Sequence, residues 1–304
     1  MLGEIFYWIF NMSIVASVMG LIVLAIRKAR FIPHRVSVFL WIIPFFRMCI
    51  PFGLNSRYSL MTLISKFTTR TVPVYSPAES LELSYINTVM AADSYSPVTY
   101  KSLLVEKVFS VASLIWMIVA LAMILTLLIL YFTTIRTLRD ARYLEGNIYS
   151  SDKIDGPAVY GIIRPRILLP SQLPEADRKY VILHEKTHIR RKDNLWRLLG
   201  FLIAAVHWYN PLSWIFLKVF LSDLELACDE SATAEYDISD RKEYARALLN
   251  CTPRKNVFVS AFGGAKVRVR IENVLSRKPM TLFSTIGFTA LVIAIIYVLL
   301  TNAG

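Results

Sequence analysis

Cysteine is scarce in this chain of 304 residues: Cys49, Cys228 and Cys251 lie far apart and form no C-x-x-C pair. That excludes a disulfide framework and a zinc-finger type of thiolate site. Charged residues make up only 18% of the sequence, with 22 Asp+Glu against 34 Lys+Arg, and there are four histidines. No internal repeat or low-complexity tract is present, so collagen-like, solenoid and disordered classes fall away. Apolar residues are abundant at 55%, too many for an ordinary soluble fold. On a soluble protein a net charge of +12 would point to nucleic acid. Here the basic residues cluster between apolar runs, as cytoplasmic loops of membrane proteins do. No direct nucleic-acid binding is expected, and the lipid bilayer is the first expected partner.

Residues 5–26 are uncharged and, at about 1.5 Å per residue, cover the ~30 Å hydrocarbon core. A cleaved signal peptide would need a basic start and a small-residue cleavage site, and neither is seen. Arg27, Lys28, Arg30 and Arg35 then crowd a connector that belongs in the cytoplasm. Residues 36–54 form a weaker span interrupted by Pro44, Arg47 and Pro51. The expected layout is two transmembrane helices in residues 1–54, an extracellular loop over 55–107 and a third transmembrane helix over 108–135. A cytoplasmic domain over 136–278 and a fourth transmembrane helix with a short external tail over 279–304 complete it. Residues 198–217 could be a further crossing by length, but Asn210-Pro211 breaks the helix, because proline removes a donor and clashes with the preceding turn. The expectation is a re-entrant or peripheral apolar hairpin over 198–221.

The chemistry starts at His184-Glu185-Lys186-Thr187-His188, an HExxH motif in a stretch without Pro or Gly. On a helix, His184 and His188 stack on one face and can offer two imidazole nitrogens to one zinc ion. Glu185 lies about 100° round the helix, placed to act as general base toward water. A catalytic zinc usually has a third protein ligand. Downstream, Glu225 and Asp229 stand four apart on one helical face: Glu225 is read as the third ligand, and Asp229 as the acceptor that orients a ligand histidine. If residues 198–217 crossed the membrane, Glu225 would be on the wrong side, which is why the hairpin is preferred. Glu230 is read as facing solvent; Cys228 could compete as a soft ligand, but a packed small apolar residue is the stronger reading; Asp193 could orient a ligand, but a solvated charge after Arg190-Arg191-Lys192 is the stronger reading. His207 and Tyr160 are candidates for substrate or oxyanion contacts; for His207 a structural hydrogen bond is the stronger reading. Gly156 to Pro170 reads as a short β-hairpin whose edge could hold an extended substrate or only cap the fold.

The run His184-Glu185-Lys186-Thr187-His188, then His207-Trp208-Tyr209-Asn210-Pro211, then Glu225-Leu226-Ala227-Cys228-Asp229-Glu230 resembles the BlaR/MecR-type family of integral-membrane metallopeptidases. Gly161 to Pro170, Ala261-Phe262-Gly263 and Arg270-Ile271 are similar too. The resemblance implies a mainly α membrane protein: four transmembrane helices with a cytoplasmic, gluzincin-like α+β zinc protease domain in a bacterial cell membrane. It further implies Zn2+ held by His184, His188 and Glu225, and a protein substrate, either a cytoplasmic transcriptional repressor or the chain itself. Antibiotic-sensing members carry a penicillin-binding domain after the last span. Only a few residues follow the expected fourth span here, so no such sensor is expected within this sequence. A homo-oligomer is compatible with the sequence. Two rival readings are a membrane quality-control zinc endopeptidase and a non-enzymatic membrane signal transducer.

Overall fold

The computed structural model describes residues 2–28, 32–50, 55–56, 103–137, 139–251, 265–276, 287, 290, 294, 297 and 302–303. Most of the external loop, the Ala261-Phe262-Gly263 segment and nearly all of the expected fourth span lie outside the described residues. Among the described residues the fold is mainly helical, with a small four-stranded sheet and a two-residue parallel pairing of Asn55–Ser56 with Asn302–Ala303. Among the described residues, two helices are long and apolar enough to cross a membrane, α1 (Leu2–Arg27) and α4, Leu103–Thr137. Between them, the expected second span is two short helices, α2 (His34–Leu40) and α3 (Ile42–Cys49), broken at Trp41. Pro44 explains the break: it has no N–H to offer the Leu40 carbonyl, and its ring crowds that carbonyl.

Four strands follow: β1 (Arg142–Glu145), β2 (Ile148–Ser151), β3 (Ala158–Tyr160) and β4 (Arg166–Pro170), in the order β1-β2-β4-β3. The β1–β2 hairpin turns through Gly146 at φ +54°. β3 and β4 pair antiparallel with Tyr160 opposite Arg166. Their connection turns at Gly161, whose φ is +91°, and a Cβ there would stand 2.9 Å from the Arg164 carbonyl oxygen, so glycine is required. β3 is an edge strand. Ile148, Ile167 and Leu169 of the sheet bury against Val181 of α5, Glu175–Arg191.

Helix α5 starts with Glu175 and Asp177, which complement the positive end of its dipole. It stops at Lys192, whose left-handed backbone (φ 57°) lets the chain turn directly into α6 (Asp193–Val206). A bend over residues 207–210 leads to α7, Pro211–Ala232. Asn210 caps α7 by accepting from the Leu212 N–H at 2.9 Å, and Pro211 occupies the first turn, where its missing donor costs nothing. α6 and α7 form an apolar hairpin packed against α1, α2 and α3, with Phe216, Leu217, Phe220 and Trp41 fully buried. Gly200 of α6 lets Leu217 approach, and a Cβ there would lie 3.0 Å from it.

α7 runs beside α1 in the same direction. Asn210 donates to Ser13 and Ser17 at 2.7 and 2.8 Å, the Phe216 ring lies where a Cβ on Gly20 would stand 2.3 Å away, and Arg27 meets Asp223 at 2.8 Å. The bend of the hairpin therefore sits beside the middle of α1, roughly 20 Å along the axis from its basic end. Trp116 of α4 closes the other side, its indole donating to the Val206 carbonyl at 2.7 Å. Two further helices, α8 (Ile238–Asn250) and α9 (Val267–Ser276), pack against the last turns of α7 through Ala232, Tyr244 and Val274.

Candidate metal centre

The HExxH helix α5 lies against α7, and their facing sides form a buried polar pocket. One helical turn separates His184 and His188, and their rings meet edge to face at 4.6 Å. Their Nε2 atoms are 3.1 Å apart. Glu225 approaches from α7, with Oε2 3.6 Å from His184 Nε2 and Oε1 3.7 Å from His188 Nε2. All three side chains are at most 14% exposed.

The opposite nitrogens fix the tautomers. His188 Nδ1 lies 2.6 Å from Asp193 Oδ2, so it carries the proton there. His184 Nδ1 lies 2.8 Å from the Tyr244 hydroxyl and 3.3 Å from Asp229 Oδ1, and Tyr244 in turn donates to Asp229 at 2.8 Å. With protons on Nδ1, two Nε2 lone pairs and a carboxylate converge on one point. Two ring nitrogens 3.1 Å apart are satisfied by a shared proton or by a metal ion between them. Donors at ~2.0–2.1 Å from a tetrahedral zinc stand roughly 3.3 Å apart, so the spacing of these three groups fits that ion.

Electrostatics agree. Burial works against a charged His188, yet Cys228, Glu225 and Asp193 outweigh it and raise its pKa to about 9. His184 likewise lies well above its usual value: Cys228, Tyr244 and Asp229 overcome both burial and Arg270. A pocket that favours imidazolium favours any cation at the same place. Glu225 is held well below the usual carboxylate range, since Arg270, His188 and Arg197 outweigh its burial.

Arg270 of α9 completes the frame. Its Nε and Nη2 donate to the two oxygens of Asp229 at 2.7 and 2.8 Å, and Nη1 lies 3.4 Å from Glu225 Oε2. Nη2 also reaches His184 Nε2 at 3.1 Å. Arg197 of α6 donates to Glu225 Oε1. Arg191 bridges Asp193, at 3.2 Å, to the Ala227 carbonyl, at 3.0 Å.

Glu185 is buried on the side of α5 that faces the sheet, close enough to the Tyr160 phenol to raise its pKa together with burial. The edge strand is held there by Asn194, which donates to the carbonyls of Val159 and Gly161, both at 3.1 Å. Glu185, next to His184 in the chain, and the Tyr160 phenol thus lie close to each other on the sheet side of α5.

A family model described as BlaR1 peptidase M56 matches residues 7–277. The chain belongs to that family. Among its relatives, the regulatory protein BlaR1 of Bacillus licheniformis is 34% identical over 108 residues, covering 34% of this chain and 18% of that protein. The methicillin resistance mecR1 protein of Staphylococcus aureus is 28% identical over 116 residues, covering 37% and 20%. BlaR1 of Staphylococcus aureus is 23% identical over 164 residues, covering 49% and 28%. The matched segments thus span well under a third of these relatives' lengths. Membership makes this a metallopeptidase-family chain related to membrane regulatory proteins.

Of the residues singled out in the sequence, the structure brings His184, His188, Glu225 and Asp229 together, with Glu185 and Tyr160 alongside. It does not bring His207: that imidazole sits at the hairpin bend, against the Met48 carbonyl at 3.2 Å and about 20 Å down α6. Two expectations of exposure are corrected. Asp193 is 1% exposed and holds His188, while Glu230 is 5% exposed and accepts backbone N–H groups from His34 and Arg35. Cys228 is buried as expected, but with its thiol on the Nδ1 side of His184, 3.6 Å away, donating to the His184 carbonyl at 3.5 Å. Its sulfur and one nitrogen of each histidine lie within 4.8 Å of one another, so it is a second candidate third donor. Glu225 stands 3.6 and 3.7 Å from the two Nε2 atoms, which favours the glutamate. Sequence reasoning missed Tyr244 altogether and gave Arg270 no role; neither has a local signal, being 60 and 86 residues from His184.

Proposed function

We propose that this chain is a membrane-embedded zinc metalloendopeptidase that hydrolyses peptide bonds on the cytoplasmic side. Its task in this reading is signal-dependent regulation, by cleavage of a transcriptional repressor or of itself. The observation that carries it is the convergence of two Nε2 atoms 3.1 Å apart with both oxygens of Glu225, 3.6 and 3.7 Å away. His184, His188 and Glu225 hold the ion, and Asp229 and Asp193 fix the two rings. The zinc, when bound, supplies Lewis-acid polarisation of the scissile carbonyl and lowers the pKa of water. Glu185 accepts the proton of the attacking water and returns it to the leaving amine. The Tyr160 phenol, kept protonated by its raised pKa, donates to the developing oxyanion. The edge of β3 aligns an extended substrate by backbone pairing.

The transmembrane layout in this reading keeps four spans, with the N terminus outside, residues 136–278 cytoplasmic and the C terminus outside. Residues 1–54, 55–107, 108–135 and 279–304 form the first two spans, the external loop, the third span, and the fourth span with its tail. Support comes from the basic end of α1 and from α7, which runs beside α1 and brings Glu225 to that same end. The α6–α7 bend, beside the middle of α1, fits a hairpin that enters the bilayer and returns. The repressor substrate draws on the regulatory names of the relatives.

The test is metal analysis of the purified protein together with Glu185→Gln, assayed on a fluorescence-quenched peptide library. The parent should carry about one zinc per chain and cleave. Glu185→Gln should keep the zinc and lose cleavage by at least about 100-fold, the scale of general-base catalysis. A parent without zinc, or a variant as active as the parent, overturns the reading.

A further inference from the structure

Helix α7 has two working faces. Glu225 and Asp229 point at the histidines. Asp223 and Glu230, seven residues apart and so nearly superimposed in helical projection, point away at about 200° from Glu225. Both are buried acids, 0% and 5% exposed, and neither touches the metal centre. The partners described for them come from the end of α1, the first turn of α2 and Trp41 at the α2–α3 break. Arg27 Nε lies 2.8 Å from both oxygens of Asp223, the Trp41 indole donates to it at 2.8 Å, and His34 Nδ1 stands 3.5 Å away. Glu230 accepts the first backbone N–H groups of α2, from His34 at 3.1 Å and Arg35 at 3.2 Å, while Arg35 donates to the Glu230 carbonyl.

Buried carboxylates are costly unless paired, and these pairs hold only when α7 keeps one height and one rotation relative to α1 and α2. The same rigid helix carries Glu225 one half-turn from Asp223, so its height and rotation also decide whether Glu225 reaches both Nε2 atoms. We propose that Asp223 and Glu230 are positioning residues that clamp α7 to the end of α1 and to α2 and thereby set Glu225 at the metal centre, so that movement of α1 against α2 changes metal coordination. This rests on the zinc reading given above. The clamp gives an intramembrane signal a direct mechanical route to the site, without a separate relay domain.

The test uses the full chain in detergent with Co2+ as the probe, read by its visible absorption bands and by competition with a chromophoric chelator. Asp223→Asn and Arg27→Gln should each weaken Co2+ binding tenfold or more and shift the bands. Glu230→Gln should weaken it severalfold, and Lys218→Gln, exposed on the same helix, should change neither. A variant that is merely less stable would lower Tm yet keep the parent's bands. If Asp223→Asn does not fold, Arg27→Gln and the milder Trp41→Phe stand in for it. Folded clamp variants that bind Co2+ within twofold of the parent, with unchanged bands, overturn the proposal.

A second readout is independent of metal. Spin labels at Lys179→Cys on α5 and Glu235→Cys just beyond α7, with Cys49 and Cys251 changed to Ser, report the distance between the two helices. Clamp variants should shift or broaden that distance, and an unchanged distribution overturns the proposal. If the parent itself binds no metal, the zinc reading fails, and the label distances alone decide whether the clamp positions α7.

Discussion

The two histidines of the motif are held in different ways. His188 takes its orientation from Asp193, five residues further on, across the left-handed turn at Lys192. His184 takes its orientation from Asp229, Tyr244 and Arg270, carried by α7, α8 and α9. One frame is built by a local turn and the other by the packing of three helices. The difference teaches that one imidazole can be set as soon as α5 and α6 form, whereas the other waits for the C-terminal half of the domain to close.

Substitutions should separate the two frames, beginning with the largest effect. Asp229→Asn leaves the buried Arg270 guanidinium without its main counter-charge, a change that typically costs about 3–5 kcal/mol. Chemical denaturation should show that loss. Acid titration gives its sign: the folded pKa of Asp229 is depressed, because Arg270 and His184 outweigh its burial. Its contribution is therefore complete above its unfolded value of about 3.9 and disappears as pH falls through the lower folded value. The parent should lose stability steeply below about pH 4, and Asp229→Asn should lack that component.

Asp193→Asn should be milder for the fold and specific for the metal. Loss of a carboxylate behind a ligand histidine typically lowers metal affinity about 10–100-fold. Equilibrium zinc competition should find that drop with a Tm near the parent's. A Tm loss as large as that of Asp229→Asn would erase the distinction between a local and a tertiary frame. Smallest of the three, Tyr244→Phe removes one hydroxyl between His184 and Asp229, worth about 0.5–1.5 kcal/mol. Because Asp229 remains 3.3 Å from His184 Nδ1, zinc affinity should fall less than in Asp193→Asn. A larger fall would make Tyr244 the true orienting group.

Several parts of the site were legible in the sequence for stated reasons. The i, i+4 spacing of HExxH forces two imidazoles onto one helical face, and Asn210-Pro211 forces a bend in an otherwise continuous apolar stretch. Given that bend, a carboxylate pair four apart on the returning helix had to be weighed against the histidines. Other parts were misread because charge alone does not reveal burial. Asp193 follows three basic residues and looks solvated, yet Arg191 folds back over it. Glu230 sits at the end of an acidic stretch, yet the start of α2 needs an acceptor for its unpaired N–H groups and finds it there. The break at Trp41 had its signal in Pro44, but apolar length alone does not tell one span from two short helices.

What the sequence determined by itself was local: helix periodicity, proline and glycine constraints, and the donor chemistry of His184, His188 and Glu185, all fixed within a few residues along the chain. What only the tertiary structure decided was which distant groups meet: Arg270 and Tyr244 beside His184, and the end of α1 with the start of α2 on the far face of α7. Those pairings depend on how helices separated by tens to nearly two hundred residues pack together. Burial then turns their charges from solvated side chains into partners that each must have.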